Sequence, residues 1–209
     1  MSSARLRFVE IDSLEHPLLV PWCDLYEQAF PAAERMLVAD ILRLVKRKAC
    51  GESADSHLIA VTDGAGEFAA LAHYDLRREL STACLWYLAV LPKLRSRGFG
   101  SRTYRQIMRQ VKAAGAWGAV FEVEIPEEAH SEEVRSWAVR RIGFYRRLGA
   151  RLLAGISYTQ SVGSHQTPIP MHLMVHAFEP LTAQEAYRRA RRVCKDSLKR
   201  RRGEQLRLQ

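Results

Sequence analysis

The chain has 209 residues, 47% of them hydrophobic and 26% charged, with a formal net charge of +9. That composition suits one globular domain with a sizeable core, and no run of about eighteen apolar residues offers a membrane-spanning helix. Cys23, Cys50, Cys84 and Cys194 are scattered without a C-x-x-C pair, which excludes a disulfide framework or a cysteine zinc site. With an N-terminus that lacks the apolar stretch of a secretory signal, this cysteine usage predicts a cytoplasmic protein.

The charge is uneven. Residues 188–209 hold ten Lys/Arg and two Asp/Glu, which leaves about +1 for residues 1–187. The expectation is a near-neutral domain over 1–180 followed by a basic C-terminal helix or tail over 181–209.

In chain order, "RLRFVEI" alternates and reads as a first strand. "HPLLVPWCDLYEQAF" predicts a helix after Pro21, and "MLVADILRLVKRKACG" a second one closed by Gly51. "SHLIAVTDGAGEFAALAHYDL" predicts two strands around Asp63-Gly64. "ACLWYLAVL" is an apolar run of the kind found in a strand covered on both faces. Beyond Gly100 a third helix places Tyr104, Ile107, Met108 and Val111 on one face and ends at Gly115. "GAVFEVEIP" is the next strand, stopped by Pro126. A fourth helix starts near Ser131, with Val134, Trp137, Ala138 and Tyr145 at helical spacing, and ends before Gly149. "RLLAGISYTQ" and "MHLMVHAF" are the final strands, joined by "SVGSHQTPIP". Thr182 and Glu185 form a capping-box pattern that opens a basic helix. This order makes one α/β domain with a mixed sheet of about six to seven strands.

The stretch "LPKLRSRGFGSR", residues 91–102, stands between the apolar strand and the third helix. A strand-to-helix turn points the first N–H groups of the helix outward, and the helix dipole favours an anion there. Gly98 and Gly100 keep bulk away from the backbone, and Arg95, Arg97 and Arg102 add charge suited to phosphate oxygens. The stretch reads as a pyrophosphate cradle. It lacks the third glycine of the dinucleotide fingerprint, with Thr103 in its place, and it lacks the Gly-Lys-Ser/Thr of a P-loop.

Arg95-Ser-Arg-Gly98-Phe-Gly100 resembles the R/Q-x-x-G-x-G/A signature of the GNAT N-acetyltransferase superfamily. About forty residues on, "RRIGFYRRLGARLL" resembles the superfamily phrase F-Y-x-x-x-G-F, with Arg151 replacing the final aromatic. The resemblance covers roughly residues 5–178 and implies the GNAT fold, with a mostly antiparallel sheet flanked by helices. It implies acetyl-CoA as cosubstrate and an amine, of a small molecule or a peptide, as acceptor. Many members are homodimers, and the residues themselves offer no metal site.

By that resemblance the pyrophosphate meets Arg95, Ser96, Arg97, Gly98, Phe99, Gly100, Ser101 and Arg102. The pantetheine arm follows Leu88, Ala89 and Val90, and Phe144 is a core or cofactor contact. Tyr145 matches the tyrosine that serves as acid for the leaving thiolate in many members, and it also fits the apolar stripe of its helix. Glu122 and Glu124, two apart on a strand, share one side and are candidates for the base, with Glu124 favoured. The alternatives are a solvated strand end or binding of a cationic acceptor; a proton shared between the two would raise one pKa into the range useful for a base. Phe30-Pro31-x-x-Glu34-Arg35 resembles a phrase of bacterial members. Phe30, Glu34 and Tyr158 are acceptor-site candidates, as is the loop 161–170, while Glu34 and Arg35 also suit a plain helix start with a charge pair. His165 is a weaker alternative base.

His172 and His176, four apart in a strand, stand about 13 Å apart at 3.3 Å per residue and cannot share a metal. The basic tail suits nucleic acid, an acidic partner or anionic lipid, or only a solubilising, partly disordered terminus, and its narrow apolar stripe (Ala183, Ala186, Tyr187, Ala190, Val193) also allows docking on its own domain. No RNA-binding aromatic motif accompanies it. The rival to an enzyme is a non-catalytic acyl-CoA sensor with a nucleic-acid-binding tail.

Overall fold

The computed structural model describes residues 5–52, 54–160 and 168–209. The chain forms two compact units by contact: residues 1–76 with 85–107, and residues 77–84 with 108–209.

The first unit holds β1 (Arg7–Glu10), α1 (Leu19–Ala29), α2 (Val38–Ala49), β2 (Ser56–Thr62) and β3 (Phe68–Arg77, its last residue excepted). It also holds most of β4 (Thr82–Val90) and the start of α3 (Phe99–Ala113). Its strands run in the order β1-β2-β3-β4, with β1–β2 and β2–β3 antiparallel. Helix α1 begins two residues before Pro21. A proline in the first turn lacks only an N–H that the helix would leave unpaired. The helix stops at Phe30, whose backbone is extended because Pro31 follows. Trp22, Leu25 and Tyr26 of α1 and Ile41 and Val45 of α2 are buried with Leu58, Ala60, Leu71 and Tyr87. Trp22 also donates its indole N–H to the Ile59 carbonyl at 3.1 Å, so its one polar atom is satisfied.

The second unit holds the first residues of β4, the end of α3, β5 (Gly118–Val123), α4 (Glu132–Arg147), β6 (Arg151–Ala154), β7 (Ile156–Gln160) and β8 (Ile169–Ala177). α5 (Ala183–Cys194), β9 (Leu198–Arg200) and β10 (Arg207–Leu208) complete it. β4 and β5 pair in parallel through Ala83 and Cys84. The other pairs, β5–β8, β6–β8, β7–β8, β7–β9 and β6–β10, are antiparallel. The fold is α/β with a mixed, mostly antiparallel sheet, as expected.

Three local expectations need correction. "RLLAGISYTQ" is two strands, broken at Gly155, whose φ of +81° is left-handed. A Cβ there would lie 2.5 Å from the Gln205 carbonyl oxygen, so a distant segment decides the break. The sequence contains two short strands, β9 and β10, that the basic composition of the C-terminal segment hides. Trp137 is 45% exposed, with the Arg140 guanidinium 5.4 Å above its ring; the buried stripe of α4 is Ala138, Ile142 and Tyr145.

The C-terminal segment is ordered. Thr182 and Glu185 form the capping box, and Ala186, Tyr187 and Ala190 are buried with Leu153, Ile156, Leu173 and Leu198. Among the described residues no helix is long and apolar enough to cross a membrane.

Candidate active site

β4 ends at Val90, a single 3₁₀ turn follows over Pro92–Leu94, and α3 starts at Phe99. Between them Ser96 and Gly98 have φ values of +61° and +82°. Two left-handed residues within three fold the backbone into a tight concave turn. Ser96 carries that conformation with a side chain, which no sequence signal announced. The first intrahelical bond is Arg102 N–H to Gly98 O at 3.1 Å, so Phe99, Gly100 and Ser101 have no acceptor within the helix. Phe99 is buried, and Thr103 and Tyr104 are fully so, which anchors the first turn. Arg95, Ser96, Arg97 and Gly98 are exposed and Arg102 half-buried. Arg95 folds back, its Nε donating to the Val90 carbonyl at 3.4 Å. A Cβ on Gly98 would have only Ser101 Oγ near it, at 4.0 Å, so the space over the turn is open. The turn thus sets N–H donors and a helix dipole beside open space, with exposed arginine in the same stretch.

Also in the first unit, Tyr26, Phe30 and Tyr87 pack edge to face, with Tyr87 4.8 Å from Tyr26 and 4.9 Å from Phe30. Tyr26 Oη donates to the Met36 carbonyl at 3.2 Å, and Met36 N–H donates to Tyr87 Oη at 3.2 Å. The two phenols clamp the segment after Phe30, including the 3₁₀ turn Ala32–Glu34. Arg35 pairs with Glu27 at 3.0 Å.

Sequence reasoning gave no role to a polar group beside this cluster. Ser56 Oγ lies 3.1 Å and Asp75 Oδ1 3.5 Å from His73 Nε2, and the His73 ring stacks on Tyr87 at 5.9 Å. Burial alone would raise the Asp75 pKa, but hydrogen bonds with His73, Trp86 and Ser56 outweigh it and bring it down to about 2. Ser56 and Asp75 meet only through the register of β2 on β3, so no local pattern marks the group.

In the second unit Tyr145 is buried on α4, its ring 4.6 Å from Phe121 and 5.0 Å from Phe144. Burial pushes its phenol up to about 12, against the pull of Arg141 and with help from Glu124, so it is protonated at neutral pH. Glu124 stands one residue past the end of β5 and pairs with Arg141 through Oε1. Its Oε2 is buried and has no hydrogen-bond partner among the described residues. Arg141 was missed, although it lies one helical turn before Tyr145 on a helix that was predicted.

Glu122 has different partners. Tyr158 donates its hydroxyl to it, and burial together with that charge raises the phenol's pKa. Cys194, pushed up to about 12 by burial, and Cys84 share this surrounding. The structure therefore gives the two glutamates separate neighbours. His165 and residues 161–167 of the loop lie outside the described residues. Among those described, no group of three His, Cys, Asp or Glu is placed to hold a metal ion.

The model of the acetyltransferase (GNAT) family matches residues 19–150, which include the turn at 95–102 and all of α4. The chain belongs to the GNAT acetyltransferase family. Among solved structures, a GNAT-family protein from Bacteroides thetaiotaomicron assigned as an acetyltransferase is 25% identical. It has a TM-score of 0.70, over 90% of this chain and 94% of that one. Another, assigned as an acetyltransferase from Salmonella typhimurium and solved with its cofactor acetyl-CoA, shares the fold at 15% identity. Its TM-score is 0.58, over 85% of this chain and 95% of that one. The dodecameric spermidine N-acetyltransferase of Vibrio cholerae is 11% identical with a TM-score of 0.58, over 85% and 95%. A search of curated protein sequences finds no match.

Proposed function

We propose that this GNAT protein is an acetyl-CoA-dependent N-acetyltransferase acting on a primary amine of a small molecule or peptide. The turn at 95–102 carries the reading: left-handed Ser96 and Gly98, unaccepted N–H groups at the start of α3, and exposed arginine. That donor set fits a pyrophosphate, with Phe99, Gly100 and Ser101 donating N–H groups and Arg97 and Arg102 supplying charge. The backbone of residues 88–90 lines the pantetheine arm. The bound cosubstrate supplies an activated acyl thioester.

A lysine-like amine is mostly protonated at neutral pH, so its attack needs a base. Glu124 Oε2 is the base, and Glu122 is the alternative; Phe30, Glu34 and Tyr158 contact the acceptor. Attack forms the N–C bond and breaks the C–S bond. The carboxylate takes the ammonium's first proton and passes it to solvent, then takes the second as the amide forms; the leaving sulfur takes the phenolic proton of Tyr145, which solvent replaces. A phenol pushed up to about 12 is an acid throughout the physiological range. Four unbridged cysteines agree with work in a reducing compartment.

Calorimetry with acetyl-CoA tests the cradle. Wild type should bind saturably, and Arg97→Ala/Gly98→Asp should weaken binding about a hundredfold, the scale of two charge-assisted hydrogen bonds. No binding by wild type would sink the reading. With an amine found by screening CoA release, Tyr145→Phe should lower kcat about a hundredfold and leave the acetyl-CoA Kd unchanged. An unchanged kcat would return Tyr145 to a packing role.

A further inference from the structure

The C-terminal segment is basic and at the same time fixed in place. On α5, Ala186, Tyr187 and Ala190 face inward and Arg188, Arg191 and Arg192 are exposed, as is Lys195 just past the helix. On β9, Leu198 is buried and Lys199 and Arg200 are exposed, while pairing with β7 holds the strand. The end of the chain is held too, since Gln209 and Leu152 exchange backbone hydrogen bonds of 2.9 and 2.7 Å. These cations follow one another along α5 and on through β9, on backbone held by packing and strand pairing.

Among the described residues, the only carboxylate within 4 Å of a cation in 188–209 is Glu204, 3.5 Å from Arg201. Glu127 lies 4.0 Å from His172, whose pKa burial lowers with a contribution from Arg201. Glu185 in the capping box lies near enough to attract Arg188 and Arg189, whereas among the described residues no carboxylate lies within 4 Å of Arg191, Arg192 or Lys195. An array of like charges repels itself, and a body of about +1 does not require it for solubility.

We propose that this stripe is a binding surface for the phosphodiester backbone of nucleic acid, independent of sequence and of acetyl transfer. Three observations favour that partner. Arginine outnumbers lysine eight to two in 188–209, and its planar fork matches phosphate oxygens. The stripe has length, running along a helix and on into a strand, as a chain of regularly spaced anions requires. No large apolar side chain is exposed in the segment. A membrane-surface helix would need such a face, and a protein interface would need apolar or aromatic anchors, whereas nucleic-acid interfaces are polar and positively charged.

Fluorescence anisotropy on the full chain tests this, using a labelled 24-nucleotide RNA strand and a DNA duplex of the same sequence. Phosphatidylglycerol vesicles and polyglutamate serve as rival probes. Binding should follow a salt dependence with a log–log slope of about −3 to −4, the value for roughly four phosphates. The variant R188E/R191E/R192E should weaken it at least about tenfold, with acetyl-CoA binding unchanged and the chain still melting cooperatively, although loss of the Arg191 contact to the Lys195 carbonyl lowers its melting temperature. R43E/K46E/R47E on α2 makes the same change in net charge and should have little effect. Preference for RNA or for duplex identifies the source of the backbone, and either supports the proposal. It is overturned by absence of nucleic-acid binding at about 50 mM salt. Equal weakening by the two triple variants, or tighter binding to vesicles or polyglutamate, also overturns it.

Discussion

Helices α3 and α5 both open beside arginine-rich sequence, yet their first turns are built in opposite ways. α5 closes its own N-terminus: Glu185 N–H donates to Thr182 Oγ1 at 3.2 Å, and the Glu185 carboxylate accepts from Thr182 N–H at 2.9 Å. Its internal anion occupies the positive end of the dipole; Arg188 and Arg189 stand mid-helix, and Arg191 and Arg192 lie in the last turn. α3 has no acidic residue in its first turn. Its donors stay open, and arginines stand beside the positive end, where charge repels the dipole unless an anion arrives. The difference teaches that arginine count alone does not identify an anion site. What distinguishes the α3 turn is cationic charge placed where the backbone is already positive and unsatisfied.

The contrast rests on two left-handed glycines of nearly equal φ, Gly155 at +81° and Gly98 at +82°. They separate backbone strain from packing. Gly155→Ala should have the larger effect, because the new Cβ would meet the Gln205 carbonyl, its oxygen at 2.5 Å and carbon at 2.9 Å. Strain and displaced backbone together should cost about 3 kcal/mol, lowering Tm by roughly 6–12 °C. Thermal melts check this. A loss under about 1 kcal/mol would mean that the segment around residue 205 moves aside freely. The stripe on α5 would then be less firmly held than the hydrogen bonds at Gln209 imply.

This pair also marks what the sequence makes legible. The glycine-bearing turn before α3, the capping box and the buried face of α3 are local patterns, each contained in a few turns, and all three could be read before the fold. Gly155 could not, because its reason is Gln205, fifty residues on in the chain. The same holds for the seat of α5: the stripe of Ala186, Tyr187 and Ala190 was visible, but its partners Leu153, Leu173 and Leu198 come from three strands. Trp137 misled because helical spacing says which residues share a side of a helix and not which side is covered. Among the candidate residues, a motif singles out Tyr145, whereas Arg141 beside Glu124 needed the end of β5 to be placed against α4.

Gly98→Ala should be milder. Nothing but Ser101 Oγ approaches the new Cβ, so only the left-handed penalty of about 1–2 kcal/mol applies. The chain can also escape that penalty by relaxing the exposed turn. Stability should fall by about 1 kcal/mol, and acetyl-CoA affinity should fall by more than that strain explains, because a relaxed turn misdirects the N–H groups of α3. Calorimetry beside a melt separates the two. Loss of stability with full affinity would show that the left-handed geometry serves the turn and not the ligand.

The smallest change tests the closed helix. Thr182→Ala removes the side-chain acceptor for Glu185 N–H and should cost about 1 kcal/mol. It should leave acetyl-CoA binding untouched, since opening the first turn of α5 frees donors without placing cations around them. The Glu185 half of the box has a pH signature. Its carboxyl is held below the usual glutamate range by the hydrogen bonds from the Thr182 backbone and side chain. A lowered pKa makes the contribution complete above the ordinary carboxylate value and lost as pH falls through the lowered one. Glu185→Gln should therefore melt below wild type at neutral pH and converge on it in acid. A gap that stays constant with pH would mean that the box acts through geometry alone, and the charge contrast between the two helix starts would lose one of its sides.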